Sequence, residues 1–475
     1  MQRFAAQTTR RVLCIPELLQ RIFQLCPGGA NTANARVSKA WNEEATRIIW
    51  HDVFTSDLFP LLAPLVSHLS EDDINYVSFS RSITEDAWDR FDRYSSKVRS
   101  LRFTQRYDPS VFREIQRGRR RSDFLPNLLR LHDAPPIPLF AYPRIRCLIL
   151  NEEVLTFDET ISWFPLIESG MPYMEQLEIE PQVGVLDVAQ IPTFTSALRR
   201  VRTLRELVAP VGFLNDNNFH YLASMSDLRA INTHASELRE EADHLTIRAL
   251  SKLCDDPFPS LEEFGVRMYF NTAMVFLPVI SGSRMLRVLK IASDLVESFD
   301  NYMILLNVIA LHCPGLEVLD ISGRFSHSST IAYSAFIEPN RQLEHVLQSL
   351  QRLESLALRN FGSRRIFPLQ DLPLFAHHLK ALKHLNLDVD LSLTADAGIA
   401  GPCAFQSLES LCFGHSSSHI APPTEIAYFL SRILPPNCKI HCDTIEQSAL
   451  KTFEVLRTWV PILIRARMEE RGVAA

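Results

Sequence analysis

The chain has 475 residues, of which 46% are hydrophobic and 22% are charged, and its 49 Lys and Arg against 55 Asp and Glu give a net charge of −6. Such a length exceeds one ordinary core unless the core extends along an array. The charge balance excludes a whole-protein attraction to nucleic acid, and no apolar stretch reaches the roughly 18–20 residues of a membrane helix. The nine cysteines lack paired spacing. We therefore expect a reducing compartment, cytoplasmic or nuclear.

Three short helices are predicted over 10–54. The first begins at Pro16, a favoured first helical position, runs to about Cys26 and carries Leu18, Leu19, Ile22, Phe23 and Leu25. After Pro-Gly-Gly at 27–29, a second helical stretch carries Ala35, Val37, Ala40 and Trp41, and a third carries Ala45, Ile48, Ile49 and Trp50. So small a core is marginal alone. We expect this segment to dock on the rest of the chain or on another protein.

A helical connector is expected over 55–94, and a repeated strand phrase follows it. The phrase is L-x-x-L-x-L, with Ile, Val, Met or Phe allowed for Leu, and its twelve copies begin at 98, 128, 145, 174, 204, 228, 261, 286, 316, 353, 382 and 408. From 145 onward the copies are 24 to 37 residues apart. This spacing indicates one structural unit per copy, with loops of variable length.

Helices are predicted between the strands. Five copies have a proline two residues ahead, which ends a helix and favours extended backbone: Pro126, Pro143, Pro172, Pro259 and Pro314. Residues 301–312 place apolar side chains at helical spacing. The pattern resembles a leucine-rich-repeat solenoid of about twelve units over 95–442, an α/β fold stabilised by stacking. An eight-stranded barrel and a doubly wound sheet fit less well, because the phrases are too many and no Gly-rich first turn occurs.

A capping helix and tail are predicted over 443–475. Asp443 and Glu446 have the spacing of a capping box. The helix that follows carries Leu450, Phe453, Leu456 and Trp459 on one side, and Pro461 is expected to interrupt it.

The front segment resembles the F-box. That family has a Leu-Pro-x-Glu-Leu-x-x-x-Ile-Phe opening, then Val-Ser/Cys-x-x-Trp, then a closing Trp. The matching residues are Ile15, Pro16, Glu17, Leu18, Ile22, Phe23, Val37, Ser38, Trp41 and Trp50. Ile15 replaces the usual Leu, and the leucine pair that usually precedes the Val-Ser-x-x-Trp segment is missing. With its repeats, the chain resembles fungal F-box proteins with degenerate leucine-rich repeats over nearly its whole length.

The resemblance implies a substrate-recognition subunit of an SCF-type cullin–RING ubiquitin ligase, without catalysis or cofactor of its own. The F-box would bind the Skp adaptor through Ile15, Pro16, Glu17, Leu18, Ile22, Phe23, Val37, Trp41 and Trp50. Two alternatives stay open: the front segment is a plain cap, or the chain is a repeat scaffold independent of the ligase, such as a regulator of a small GTPase. An adaptor-binding helix would leave Leu18, Ile22 and Phe23 partly exposed, whereas a cap would bury them.

A protein substrate is expected on the concave strand surface. Side chains that alternate with the strand leucines point there: Arg102, Gln176, Glu178, Glu180, Glu206, Asn232, Arg267, Lys290, Asp320, Arg359, Asn386 and Asp388. The set carries both signs, which favours a folded protein or a peptide over nucleic acid.

Few other motifs indicate chemistry. No nucleotide-binding, hydrolase or zinc-protease signature occurs. Cys438, His441 and Cys442 lack a second ligand pair, so no metal is expected. The basic run from Arg117 to Arg121 is a nuclear address, a phosphate-binding patch or a solvated loop. Residues 326–334 and 415–423 are expected as exposed loops.

Overall fold

A computed structural model describes residues 15–70, 73–119, 123–151, 157–180, 191–234, 257–280, 285–325, 337–360, 367–391, 404–414, 422–442 and 447–470. The chain forms two compact units, Met1–Phe213 and Leu214–Ala475. Each unit contains parallel strands that alternate with helices.

The first unit contains short helices and strands in alternation. Its helices are α1 Pro16–Leu25, α2 Gly28–Asn34, α3 Lys39–Ile49, α4 Thr55–Leu58, α5 Glu85–Ser95, α6 Pro109–Gly118, α7 Phe157–Ile161, α8 Trp163–Gly170 and α9 Ile191–Arg200. Its strands are β1 Asp52–Phe54, β2 Leu65–Leu69, β3 Asn75–Phe79, β4 Ser100–Arg102, β5 Arg106–Tyr107, β6 Arg130–His132, β7 Cys147–Leu150, β8 Gln176–Ile179 and β9 Glu206–Pro210.

The second of the front helices differs in position from the predicted one. The second helix was expected around residues 35–41, but α2 lies earlier and the chain turns at 35–37. Ser38 begins the third helix, since its hydroxyl accepts a hydrogen bond from the backbone N–H of Trp41. Trp41 and Ala45 therefore share one helix. Leu19, Phe23 and Ala45 form the small core.

The connector over 55–94 is not helical throughout. It contains α4 and α5, but between them β2 and β3 form an antiparallel hairpin, and β3 also pairs in parallel with β5. The prediction of helix alone is corrected here.

Six parallel strands of the first unit share one register, in the order β1-β4-β6-β7-β8-β9. The second apolar residue of each strand phrase lies beside its equivalent in the next strand: Leu101, Leu131, Leu148, Leu177 and Leu207. All five are buried. β1, which the sequence did not predict, extends this ladder by Val53.

The second unit repeats the arrangement with longer elements. Its helices are α10 Asp216–Ala223, α11 Phe270–Ile280, α12 Phe299–His312, α13 Ile337–Ser349, α14 Leu372–His378, α15 Pro423–Ile433 and α16 Gln447–Glu470. Its strands are β10 Ala230–His234, β11 Glu263–Arg267, β12 Val288–Glu297, β13 Val318–Phe325, β14 Ser355–Asn360, β15 Phe367–Pro368, β16 His384–Leu387, β17 Val389–Asp390, β18 Ser410–Phe413 and β19 Lys439–Cys442.

Eight parallel strands of the second unit pair side by side, in the order β10-β11-β12-β13-β14-β16-β18-β19. Their buried ladder reads Ile231, Phe264, Leu289, Leu319, Leu356, Leu385, Leu411 and Ile440. Every strand phrase predicted from the sequence thus forms a parallel strand. Within each unit the described strands form an open order and close no barrel.

The last helix, α16, continues through Pro461, so the predicted interruption there is wrong. Phe453, Leu456, Val460 and Ile464 are buried on both sides of the proline, and this packing offsets the lost hydrogen bond. Trp459, expected on the buried side, is exposed. The predicted capping pair Asp443 and Glu446 lies outside the described residues.

Candidate protein-docking surfaces

The first helix has apolar side chains on two faces. Leu19 and Phe23 are each 1% exposed and belong to the small core of the front helices. Ile15, Leu18, Ile22 and Leu25 are 41%, 42%, 42% and 77% exposed, and we call these four residues the apolar stripe. Their spacing of three, four and three residues places them along one side of the helix. The helix thus keeps an apolar face open after its own core is filled.

The front helices attach to the first repeats through α3 rather than α1. Trp50, at the end of α3, stacks on Tyr94 of α5 with ring centroids 4.6 Å apart. The ammonium of Lys97 donates a hydrogen bond to the Thr46 hydroxyl on α3. α1 packs on α3 from the other side. This attachment therefore leaves the apolar stripe exposed.

The structure divides the residues predicted to bind the adaptor into exposed, half-buried and buried ones. The exposed group contains Ile15, Pro16, Glu17, Leu18, Ile22 and Val37. Phe23 is buried, which corrects the expectation that it is partly exposed: its ring lies edge-on to Trp41, with centroids 5.2 Å apart. Trp41 and Trp50 are half-buried in contacts within the unit. Leu25 was not among the predicted residues, although its spacing from Ile22 continues the stripe.

The predicted substrate-binding side chains of the first unit lie opposite its ladder, on what we call the open strand face. One row across this face reads Phe54, Arg102, His132, Ile149, Glu178 and Val208. Arg102 and Glu206 are exposed, and Glu178 and Glu180 are half-buried. Burial, with Arg102 and Arg130 nearby, lowers the pKa of His132 to about 4. The imidazole is therefore neutral at pH 7.

In the second unit, the open strand face contains ion pairs between neighbouring strands. Lys290 Nζ lies 2.8 Å from Glu263 Oε1, and Arg359 Nη2 lies 2.6 Å from Asp320 Oδ2. Asn232, Arg267 and Asn386 are half-buried on the same face. Glu263 was not among the predicted residues, although its position two residues before Gly265 gives it the same orientation. The charges of Lys290 and Arg359 are thus partly neutralised by acidic side chains of neighbouring strands.

Asp388 does not lie on the open strand face, which corrects its assignment. The residue is 2% exposed, because β16 ends at Leu387 and the chain turns into β17. Gly414 makes room for its carboxylate, since a Cβ at Gly414 would overlap Asp388 Oδ1. The alternation of side chains in β16 ends at Leu387, so it does not apply to Asp388.

A second set of charged side chains lies just before the strands begin. They occupy the second position of the L-x-x-L-x-L phrase, and each lies beside the residue at the same position of a neighbouring repeat. Glu175 lies 3.5 Å from both Arg146 and Arg205. The same contact joins Arg229 to Glu262, Arg287 to Glu317, and Lys383 to Glu354. Each exposed pair stabilises little alone, but together they favour the correct register between repeats.

Chemical sites are scarce among the described residues. No group of three or more His, Cys, Asp or Glu side chains there could hold a metal ion. Burial raises the pKa of Cys438 to about 12, so this thiol is protonated at pH 7. Arg117 and Arg119 are exposed, while Arg120 and Arg121 lie outside the described residues, as do 326–334 and most of 415–423. None of the described helices combines the length and apolar character needed to cross a bilayer.

Comparison with known proteins gives little guidance. No known family matches the chain, and no curated protein matches it. Among solved structures, a Bacteroides fragilis protein determined by a structural genomics consortium is 13% identical over 63% of this chain and 66% of that one, with a TM-score of 0.27. The match therefore spans just under two thirds of that protein's length.

Proposed function

We propose that the chain is the substrate-recognition subunit of an SCF-type cullin–RING ubiquitin ligase, and that its front helices dock on the Skp adaptor. The observation that carries the proposal is the apolar stripe of Ile15, Leu18, Ile22 and Leu25. A plain cap would bury its apolar side chains against the first repeat. Here the attachment uses α3, and the stripe stays at least two-fifths exposed at every position.

The stripe suits a helical partner. Anchors at three- and four-residue spacing insert into the groove of a facing helix or helix pair. Glu17 and Arg21 flank the stripe on exposed positions and would form a polar rim. Val37, exposed in the turn before α3, adds an apolar side chain from a second element. The buried Phe23 and the half-buried Trp41 would act indirectly by holding α1 against α3.

The experiment is co-purification of the full chain with a co-expressed Skp adaptor. Leu18→Asp with Ile22→Asp is expected to reduce adaptor binding by at least 100-fold, because two charges enter a desolvated contact. Gln24→Asp is the matched control, since it adds a charge to an exposed position of the same helix outside the stripe. Adaptor binding that survives the double substitution, with stability unchanged, would exclude the apolar stripe as the docking face. A wild-type chain that binds no adaptor would favour a repeat scaffold independent of the ligase.

In this proposal the open strand face holds a protein substrate close to the ubiquitin-conjugating enzyme and raises the local concentration of its lysines. Its mixed charges support a protein partner over nucleic acid. Lys290→Glu with Arg267→Glu is expected to weaken capture of a substrate while the adaptor stays bound.

A charge swap separates recognition from packing. Lys290→Glu with Glu263→Lys keeps the ion pair but reverses its direction on the surface. If this swap and Lys290→Glu alone both abolish capture of the same substrate, the substrate recognises the positions of the charges on the surface. If the swap restores capture, the single substitution had only disturbed the neighbouring strands. Substrate capture unaffected by all these variants would place recognition elsewhere.

A further inference from the structure

The outer strand of the small sheet has an open edge. Among the described residues this sheet has the order β2-β3-β5, so β2 pairs only on one side. Val66 to Leu69 are all exposed, with Val66 at 45% and Leu69 at 69%. Edge strands in soluble proteins are usually protected by Lys, Pro or a bulge. The segment Leu65-Val66-Ser67-His68-Leu69 contains no Lys, Arg, Asp, Glu or Pro, and its pairing with β3 is unbroken.

The backbone groups on this edge can be assigned from the hairpin. Ser80 donates its N–H to the carbonyl of Pro64, and Ser70 donates to the carbonyl of Ile74. Because antiparallel pairs alternate, the even-numbered residues Val66 and His68 also direct their backbone groups at β3. The N–H and C=O groups of Leu65, Ser67 and Leu69 therefore point away from β3, toward solvent.

We infer that the β2 edge pairs with β2 of a second copy of this chain, antiparallel and with Ser67 on the two-fold axis. This register is self-complementary: Ser67 faces its own copy, and Leu65 of each chain faces Leu69 of the other. The three outward residues of each strand then form six backbone hydrogen bonds. The two Leu65–Leu69 contacts cover the exposed Leu69 and the half-buried Leu65, in a form of β-strand addition.

Charge complementarity favours the antiparallel orientation over the parallel one. Asp73 lies in the exposed turn that joins β2 to β3, and Arg81 is exposed at the opposite end of the hairpin. The antiparallel arrangement brings the Asp73 turn of each copy to within about two strand spacings, roughly 10 Å, of Arg81 of the other. A parallel arrangement would place the two acidic turns together. The inference does not depend on adaptor docking, since it involves no residue of α1.

The register is tested by cysteine cross-linking of the purified full chain under mild oxidation. In the proposed pairing the two Ser67 Cα atoms lie about 5.5 Å apart, within the range of a disulfide. Ser67→Cys is therefore expected to form a covalent dimer. Leu65→Cys is the matched control, because its two copies would lie about four residues apart along the strands, roughly 14 Å. The wild-type chain controls for the native cysteines.

Sedimentation velocity over a range of concentrations tests the interface itself. Leu69→Lys places a charge on the edge and is expected to raise the dimer dissociation constant at least ten-fold. Leu311→Lys makes the same change at a leucine that is 74% exposed on α12 and should leave the constant within two-fold. A wild-type chain that stays monomeric without a Ser67→Cys cross-link would overturn the inference. Equal cross-linking at residue 65, or an adduct to a different protein, would also overturn it.

Discussion

Leu319→Ala tests whether the strand leucines form one stacked core. Leu319 is 1% exposed and lies in register between Leu289 of β12 and Leu356 of β14, both at most 2% exposed. Removal of its three outer carbons forfeits about 0.8 kcal/mol per buried carbon, and the rigid neighbours leave a cavity that adds to the loss. We expect the free energy of unfolding to fall by about 3–5 kcal/mol.

Hydrogen exchange with mass spectrometry shows where that loss falls. In a stacked array each repeat contacts only its neighbours, so amides of β12, β13 and β14 should exchange faster well before those of β18 and β19. Leu311→Ala, at an exposed leucine of the same unit, should change stability by less than about 0.5 kcal/mol. Faster exchange spread evenly over the second unit, or no difference between the two variants, would refute the stacked-core account.

Three further outcomes are expected. Trp50→Ala removes the stacking contact with Tyr94 and should make the front helices susceptible to limited proteolysis before the repeats; simultaneous digestion of both would contradict this. The lowered pKa of His132, about 4 against 6.5, means that the unfolded chain binds more protons between these values, so stability should fall as the pH drops from about 6.5 to 4. His132→Gln should make stability depend less on pH in this range, as measured by acid unfolding. An unchanged dependence would show that His132 is not its cause. Glu175→Gln breaks contacts to two arginines and should lower stability by about 0.5–1 kcal/mol at low salt and less at high salt; equal loss at both would point to packing instead.

The strands could be predicted because their signal is repeated. Each copy places two apolar residues of the same strand at alternate positions, and within each unit the copies pair in one register. Leu148, Leu177 and Leu207 hold equivalent places in their phrases and lie side by side in the sheet. β1 was missed, because a three-residue strand after a helix has no such pattern and forms only by pairing with β4.

The candidate sites were less predictable, because exposure depends on tertiary packing. Phe23 and Ile22 are adjacent in an apolar helix, yet only Phe23 meets Trp41 and is buried. Asp388 has the parity of an outward residue, but the end of β16 turns it inward. Pro461 has a strong helix-breaking tendency, which buried neighbours on both sides override.

Adaptor docking by the apolar stripe is the central claim of the proposed function. The most direct measurement is hydrogen exchange of the purified full chain with and without a purified Skp adaptor. We predict saturable binding, with slower exchange concentrated in α1 and in residues 35–38, and no change in β12 to β19. Absence of binding at high adaptor concentration, or protection that appears in the second unit and spares α1, would contradict the account.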